Sequence, residues 1–219
     1  MIFAAGFGTR MAPLTDTCPK PLIRVAGRAL IDHALDQVEG ARSIVINAHY
    51  LPDQIASHLS GKEITLLREP VLLDTGGGLK NAQRYLDGDT VVTMNSDAVW
   101  TGSRAIDQLV GAWDPQVMDA LLLCVPRDLA VGHKGHGDFD LLPTGQITRG
   151  RELVYTGAQI ISLRLLKGID RDVFSLRELW DKADKAGRMH GMIHDGKWCD
   201  VGHPAGIDLA ESILAGADV

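Results

Sequence analysis

The sequence predicts a layered α/β fold, a three-layer α/β/α sandwich around a mostly parallel sheet, and three observations carry that expectation. Apolar runs of strand length alternate with stretches of helical periodicity through the first half of the chain. Those runs are β-branched or leucine-rich and lack period-2 alternation, the pattern of strands covered on both faces. A glycine-rich turn, Gly6-Phe7-Gly8, leaves the first apolar segment. In open α/β sheets such turns sit at the carboxyl ends of strands, where ligands collect.

The elements follow in order. The apolar start at residues 1–5 is short for a first strand, so the chain is expected to begin a few residues late or at an internal methionine of a longer product. Leu30, Ile31, Ala34, Leu35 and Val38 recur at helical spacing. Residues 44–48 and 64–67 read as buried strands, and between them Pro52 opens a helix whose inner stripe is Ile55, Ala56 and Leu59. Residues 91–94 and 120–125 are two more strands, separated by the stripe Ile106, Leu109, Val110 and Trp113. Strict alternation then ends. Residues 138–142 and 146–148 flank Pro143-Thr144-Gly145 and read as a hairpin. Residues 153–163 form a long strand candidate, and Ser175 with Glu178 reads as a capping box opening a helix through Ala186. Residues 192–194 and 197–201 around Asp195-Gly196 suggest a second hairpin. Pro204 starts a last amphipathic helix carrying Ile207, Leu209, Ile213 and Leu214. No repeat, linker or low-complexity stretch interrupts the chain, so residues 1–219 are expected to form one domain.

Composition removes several classes of function. Lys and Arg number 22 against 28 Asp and Glu, a net charge of −6. That balance does not suit nucleic-acid binding, which relies on neutralising phosphates with basic side chains. Cys18, Cys124 and Cys199 are odd in number, far apart and without a C-x-x-C pair, which suits reduced thiols in a cytoplasmic protein better than a disulfide framework or a zinc knuckle. No apolar run approaches the roughly 20 residues a membrane-spanning helix needs, and the N-terminus lacks the charged segment of a signal peptide.

The N-terminal loop carries most of the chemistry. It reads Gly6-Phe7-Gly8-Thr9-Arg10-Met11-Ala12-Pro13-Leu14-Thr15, then Pro19-Lys20-Pro21-Leu22. Backbone N–H groups of a glycine turn, here at Ala5, Gly6, Gly8 and Thr9, approach a nucleotide without interference from Cβ atoms. Arg10 offers phosphate oxygens a planar fork of donors. Lys20 adds a mobile positive charge on backbone stiffened by two prolines. The loop is not a Walker A sequence, and Met11 occupies the third glycine position of G-x-G-x-x-G.

Those residues in that order resemble the signature of the sugar-nucleotide pyrophosphorylases, the sugar-1-phosphate nucleotidyltransferases. The resemblance extends over almost the whole chain. Glu69-Pro70 with Asp74-Thr75-Gly76-Gly77-Gly78 is similar to the family's nucleobase loop, and Asn95-Ser96-Asp97 to its G-D position. Gly135-His136-Gly137-Asp138-Phe139, Tyr155-Thr156-Gly157 and Trp198-Cys199-Asp200-Val201-Gly202 resemble one branch in particular, the N-acetylmuramate-1-phosphate uridylyltransferases. Ser96 stands where the family usually has glycine, Phe7 where it often has a small or basic residue, and Asp74 where this branch more often has glutamate.

The resemblance implies a Rossmann-like, glycosyltransferase-A-like fold with a small β-hairpin region for the sugar. It implies a nucleoside triphosphate and a sugar 1-phosphate as substrates, with no nucleic-acid or membrane partner. Arg10, Lys20 and Asp97 would be catalytic: Arg10 on the β- and γ-phosphates, Lys20 on the α-phosphate. Asp97 and Asp200 would hold Mg²⁺. Gly76, Gly77 and Gly78 would approach the base, against the alternatives of a flexible hinge or a helix start, and Asn47 would line the nucleoside pocket, although a strand-end Asn47 serves equally well as a structural residue. Asp138, Thr156 and Gly157 would meet the hexose, with Trp198 either packing on its face or belonging to the core. His133, Lys134 and His136 would meet a phosphate or a lactyl carboxylate, against the alternative of a solvated loop. Another base and sugar, as in a mannose-1-phosphate guanylyltransferase or a glucose-1-phosphate thymidylyltransferase, and a non-catalytic nucleotide sensor are competing readings. Nothing in the pattern speaks to oligomeric state.

Overall fold

A computed structural model of the protein describes residues 1–216. In chain order its elements are β1 (Ile2–Phe3), β2 (Arg24–Val25), β3 (Arg28–Ala29), α1 (Leu30–Asp36), β4 (Val45–Ala48), α2 (Pro52–His58) and β5 (Thr65–Arg68). Then come α3 (Asp74–Ala82), β6 (Thr90–Asn95), β7 (Ala98–Trp100), α4 (Ala105–Ala112), β8 (Ala120–Pro126) and β9 (Ala130–Val131). The last are β10 (Phe139–Leu141), β11 (Ile147–Arg149), β12 (Leu153–Ser162), α5 (Arg177–Lys185), β13 (Met189–Ile193), β14 (Trp198–Asp200) and α6 (Ala205–Ala215).

Nine strands form the main sheet, in the order β11-β10-β12-β6-β1-β4-β5, with β8 on β12 and β13 on β8. The four strands β5, β4, β1 and β6 are parallel, as the strand–helix alternation predicts. So are β8 and β13. Between these two groups runs β12, antiparallel to both β6 and β8, which makes the sheet mixed.

Neighbouring residues of one strand feed opposite cores. Ile46, Leu121 and Ile160 pack into one hydrophobic cluster, while Val45, Leu122 and Ile161 pack into a second. Helices cover both faces, so every side chain of β4 is buried, and this is why its sequence does not alternate. A third cluster joins Met11, Leu30, Val99, Cys199, Val201 and Ala210. It glues α6 and the small sheet β7-β14-β9 to the turn that follows the glycine loop.

The hairpin expected at residues 138–148 is present, with Phe139 opposite Arg149 and Leu141 opposite Ile147. The second hairpin is not. β13 joins β8 in the main sheet, whereas β14 joins β7 and β9 in the small one. The capping box is also absent. Ser175 Oγ accepts only the Arg177 N–H, at 3.4 Å, and the Glu178 carboxylate pairs with Arg171 rather than reaching back. Among the described residues no helix is long and apolar enough to cross a membrane.

Candidate active site

Because β1, β4 and β6 are parallel, the loops leaving their carboxyl ends meet at one edge of the sheet. Polar side chains at those ends pin the glycine loop. Asn47 Oδ1 accepts the Ala4 N–H at 3.0 Å, and Asn47 Nδ2 donates to Glu69 Oε1 at 2.8 Å. Burial pushes the Glu69 carboxyl above its usual range, and its hydrogen bond from Asn47 opposes that shift. Ser96, in the place of the family's glycine, donates its hydroxyl to the Phe3 carbonyl at 2.7 Å. The serine therefore ties the end of β6 to the end of β1.

Gly8 then turns the loop with φ near 65°, and a Cβ there would lie 2.8 Å from Lys20 Cβ. Glycine is required both for the left-handed backbone and for the approach to Lys20. The short helical turn Thr9–Met11 follows, anchored by the fully buried Met11 and leaving Arg10 exposed.

These elements enclose a cleft of about 450 Å³, within the size range of small-molecule sites. Of the residues singled out from sequence, Ala5, Gly6, Gly8, Thr9, Arg10, Lys20, Asn47 and Asp97 line it. Lys20 Nζ stands 2.7 Å from Asp97 Oδ2.

Asp200 is brought up from far along the chain. In the antiparallel pairing of β7 and β14 it lies opposite Ala98, and the Val201 N–H donates to the Asp97 carbonyl at 2.9 Å. Burial pushes the Asp200 carboxyl above its usual range. The negative charge of Asp97 pushes the same way, while Lys20, Arg10 and His133 oppose it. At Gly202 a Cβ would fall 2.8 Å from Asp200 Oδ2 and 3.1 Å from Arg10 Nη1. The glycine thus leaves room for the carboxylate and the guanidinium side by side.

Other sequence-selected residues stand elsewhere. Gly76, Gly77 and Gly78 do not form a loop. They occupy the first turn and a half of α3, behind the cleft wall made by Asp74 and Thr75. A Cβ on them would lie 2.4 Å from the Phe174 ring, 2.0 Å from the Asp172 carbonyl and 2.9 Å from Asn47 Nδ2, respectively. Their role here is close helix packing.

Trp198 is in the core, 5% exposed, with its indole N–H donated to the Thr156 carbonyl at 3.0 Å. No face of it is free for a sugar. Thr156 is buried and donates its hydroxyl to the Leu123 carbonyl. Gly157, with φ near 89°, lets β12 close against the Asn95 side chain. Asp138 Oδ2 accepts the Tyr155 N–H at 3.0 Å. None of these four lines the cleft. They shape the strand beside it.

Asp74, Thr75, Asn95, Ser96 and Gly202, which belonged to the recognised motifs without being given a role of their own, also line the cleft, as do Phe3 and Leu72, which had none. Phe3 and Leu72 carry no polar group that a sequence could single out, and only the fold places them here.

Asn47→Ala is expected to lower unfolding stability by about 2 kcal/mol, because it strands the buried Ala4 N–H and Glu69 carboxylate together. Urea denaturation followed by circular dichroism checks this. A change under a few tenths would mean that water replaces the amide without cost.

The profile of the MobA-like NTP transferase domain family matches residues 1–155. The N-acetylmuramate alpha-1-phosphate uridylyltransferase of Caulobacter vibrioides is 36% identical, over 99% of this chain and 97% of that protein. The protein of the same name from Neisseria meningitidis serogroup B is 34% identical, over 99% and 98%. Among solved structures, a putative glucose-1-phosphate thymidylyltransferase from Bacillus anthracis superposes with a TM-score of 0.80 at 18% identity, covering 100% of this chain and 94% of that one. HddC from Yersinia pseudotuberculosis, complexed with GMP-PN, gives 0.77 at 21% identity and 97% coverage of both. These two likenesses show the fold. The chain belongs to the MobA-like NTP transferase domain family and is a nucleotidyltransferase.

Proposed function

We propose that the chain transfers the uridylyl group of UTP to N-acetylmuramate α-1-phosphate and releases pyrophosphate, in the cytoplasm. The observation that carries this reading is the cleft that gathers Arg10, Lys20 and Asp97 at the mouth of the glycine loop, with Asp200 beside them. The full-length agreement with two uridylyltransferases supports the choice of base and sugar.

The chemistry needs alignment more than proton transfer. A phosphate monoester has its second pKa near ~6, so the attacking oxygen is mostly ionised at neutral pH and no general base is required. What must be overcome is repulsion between two anions and the charge that builds on the α-phosphate. Backbone N–H groups at Ala5, Gly6, Gly8 and Thr9 orient the triphosphate. Arg10 holds the β- and γ-phosphates and the departing pyrophosphate. Lys20, held by Asp97 while the cleft is free of phosphate, turns its ammonium toward the α-phosphate.

A divalent cation fits the donor set. Asp97 and Asp200 offer hard oxygen ligands, and the two carboxylates lie close enough for the charge of Asp97 to add to the burial that pushes the Asp200 carboxyl up. We assign Mg²⁺ to this pair, where it would supply Lewis-acid neutralisation of phosphate oxygens. Asp74, Thr75 and Asn47 stand on the wall where the nucleoside would lie.

The test is pyrophosphate release with Mg²⁺ from each of UTP, CTP, ATP, GTP and dTTP, against a panel of sugar 1-phosphates. Release with UTP and N-acetylmuramate 1-phosphate above all other pairs is expected. Preference for a different pair would keep the mechanism and replace the substrates. Nucleotide binding without release from any pair would make the chain a sensor.

A further inference from the structure

A second cavity of about 500 Å³ lies beside the first. The two share Asp74, Thr75 and Asn95 as a common wall. The far side is built by Tyr155 of β12 and by Ser175, Arg177 and Trp180 around the start of α5. The cavity is held open by a fixed frame. Leu176 donates its N–H to Thr75 Oγ1 at 3.0 Å, tying the start of α5 to the start of α3. Trp180 donates its indole N–H to Gln159 Oε1 at 2.8 Å, and its ring is wedged edge-on against Tyr155 at 5.0 Å and Phe139 at 5.8 Å.

The charges around this cavity are paired, with one exception. Glu178 pairs with Arg171, Asp181 with Arg149 and Asp172 with Lys80. Arg149 is further fixed over the rings of Phe139 and Trp180. Asp74, the carboxylate on the shared wall, is turned back on its neighbour: its Oδ1 accepts the Thr75 N–H at 2.5 Å. The Arg177 guanidinium lines the cavity exposed and, among the described residues, has no hydrogen-bond or ion-pair partner. It is also the first residue of α5, so the positive end of that helix adds to its charge.

We propose that this cavity receives the hexose of the acceptor and that Arg177 pairs with a carboxylate carried on that sugar. The inference rests on the reading of the acceptor as N-acetylmuramate 1-phosphate, whose lactyl ether bears such a carboxylate. It makes Arg177 the residue that separates a carboxylated acceptor from the plain N-acetylhexosamine 1-phosphate. The acceptor phosphate enters the first cavity beside Lys20, the ring passes Asn95, and the acidic substituent reaches the planar donor fork of Arg177. His133, Lys134 and His136, the alternative from sequence for a lactyl carboxylate, do not border this cavity, and His133 lies close enough to Asp200 to act on its charge.

The experiment compares kcat and KM for N-acetylmuramate 1-phosphate and N-acetylglucosamine 1-phosphate, with saturating UTP, in the wild type, Arg177→Ala and Arg177→Lys. Arg177→Ala is expected to lose about 10- to 100-fold in kcat/KM on the muramyl acceptor, the scale of one charge-assisted pair, and to lose it through KM. Its kcat/KM on the glucosamine acceptor stays within about twofold. Arg177→Lys recovers part of the loss, because it restores charge without the fork. Equal losses on both acceptors would assign Arg177 a structural role and overturn the inference. Wild-type turnover of the muramyl acceptor that Arg177→Ala leaves intact would overturn the inference alone. Failure of the wild type to use that acceptor would overturn the proposed function and this inference with it.

Discussion

Asp97→Asn lowers nucleotidyl transfer at least ~10³-fold while the melting temperature moves by only a few degrees. The two effects separate because the substitution changes two electrostatic contacts of opposite sign. It removes the ion pair at 2.7 Å with the nearly buried Lys20, which destabilises the protein. It also removes the negative charge that raises the Asp200 carboxyl, which stabilises it. Neither contribution is fully expressed, since Asp97 remains partly exposed to water. Catalysis has no such cancellation. An amide keeps the shape but not the charge, so the cation would lose one of two anionic ligands and Lys20 would lose its orienting partner. Pyrophosphate release titrated with Mg²⁺, next to a thermal melt, measures both. Turnover near the wild-type rate would take Asp97 out of the reaction.

Gly77→Ala should lower the melting temperature by roughly 4–8 °C, although alanine is the better helix former. Replacing glycine inside a helix normally gains about 1 kcal/mol. At Gly77 the new Cβ would stand 2.0 Å from the Asp172 carbonyl oxygen and 3.1 Å from Leu73 Cβ. The obstacle is backbone, so it cannot swing aside as a side-chain tip would. The Gly77 N–H also donates to the Phe174 carbonyl at 3.0 Å, so the same displacement stretches a hydrogen bond. Overpacking against backbone costs toward the upper end of about 1–3 kcal/mol, which exceeds the helical gain by about 2 kcal/mol. Gly111→Ala is the control: it lies in α4, a Cβ there meets nothing within 4 Å, and its melting temperature should rise. A Gly77→Ala protein as stable as the wild type would mean that the segment 172–174 can move away freely.

The Gly77 prediction marks where sequence reading stopped. Strands such as Val45–Ala48 and Ala120–Pro126 were legible because burial on both faces writes an unbroken apolar run. The hairpin at Phe139–Arg149 was legible because its turn signal and its pairing are both local. Asp195-Gly196 gives an equally local turn signal, but the strands beside it find partners far away in two different sheets, and no nearby residue records that choice. Three glycines in a row resembled a base-binding loop and also allowed a helix start, and nothing near them in the sequence decided between the two. The helix needs them because residues 172–174 press on Gly76 and Gly77, and Asn47 with Glu69 on Gly78. The cleft divides in the same way. Arg10, Lys20 and Asp97 stood out because phosphate chemistry demands their charges. Trp198, an aromatic between apolar neighbours, looked the same in sequence whether it faced a sugar or the core. Its indole N–H bonded to Thr156 places it in the core.

The β7–β14 pairing also orders events in time. A chain under synthesis presents the glycine loop, Lys20 and Asp97 early, and the strand bearing Asp200 only after β8, β12, α5 and β13 have been made. Pairings across such long sequence separations form late, because the entropy of closing the loop is lost before the contacts are gained. The pair of carboxylates Asp97 and Asp200 is therefore completed last, long after the glycine loop has been made. The cleft is complete only when a three-residue strand docks and the Val201 N–H closes on the Asp97 carbonyl, because Gly202, just beyond that strand, is part of its lining.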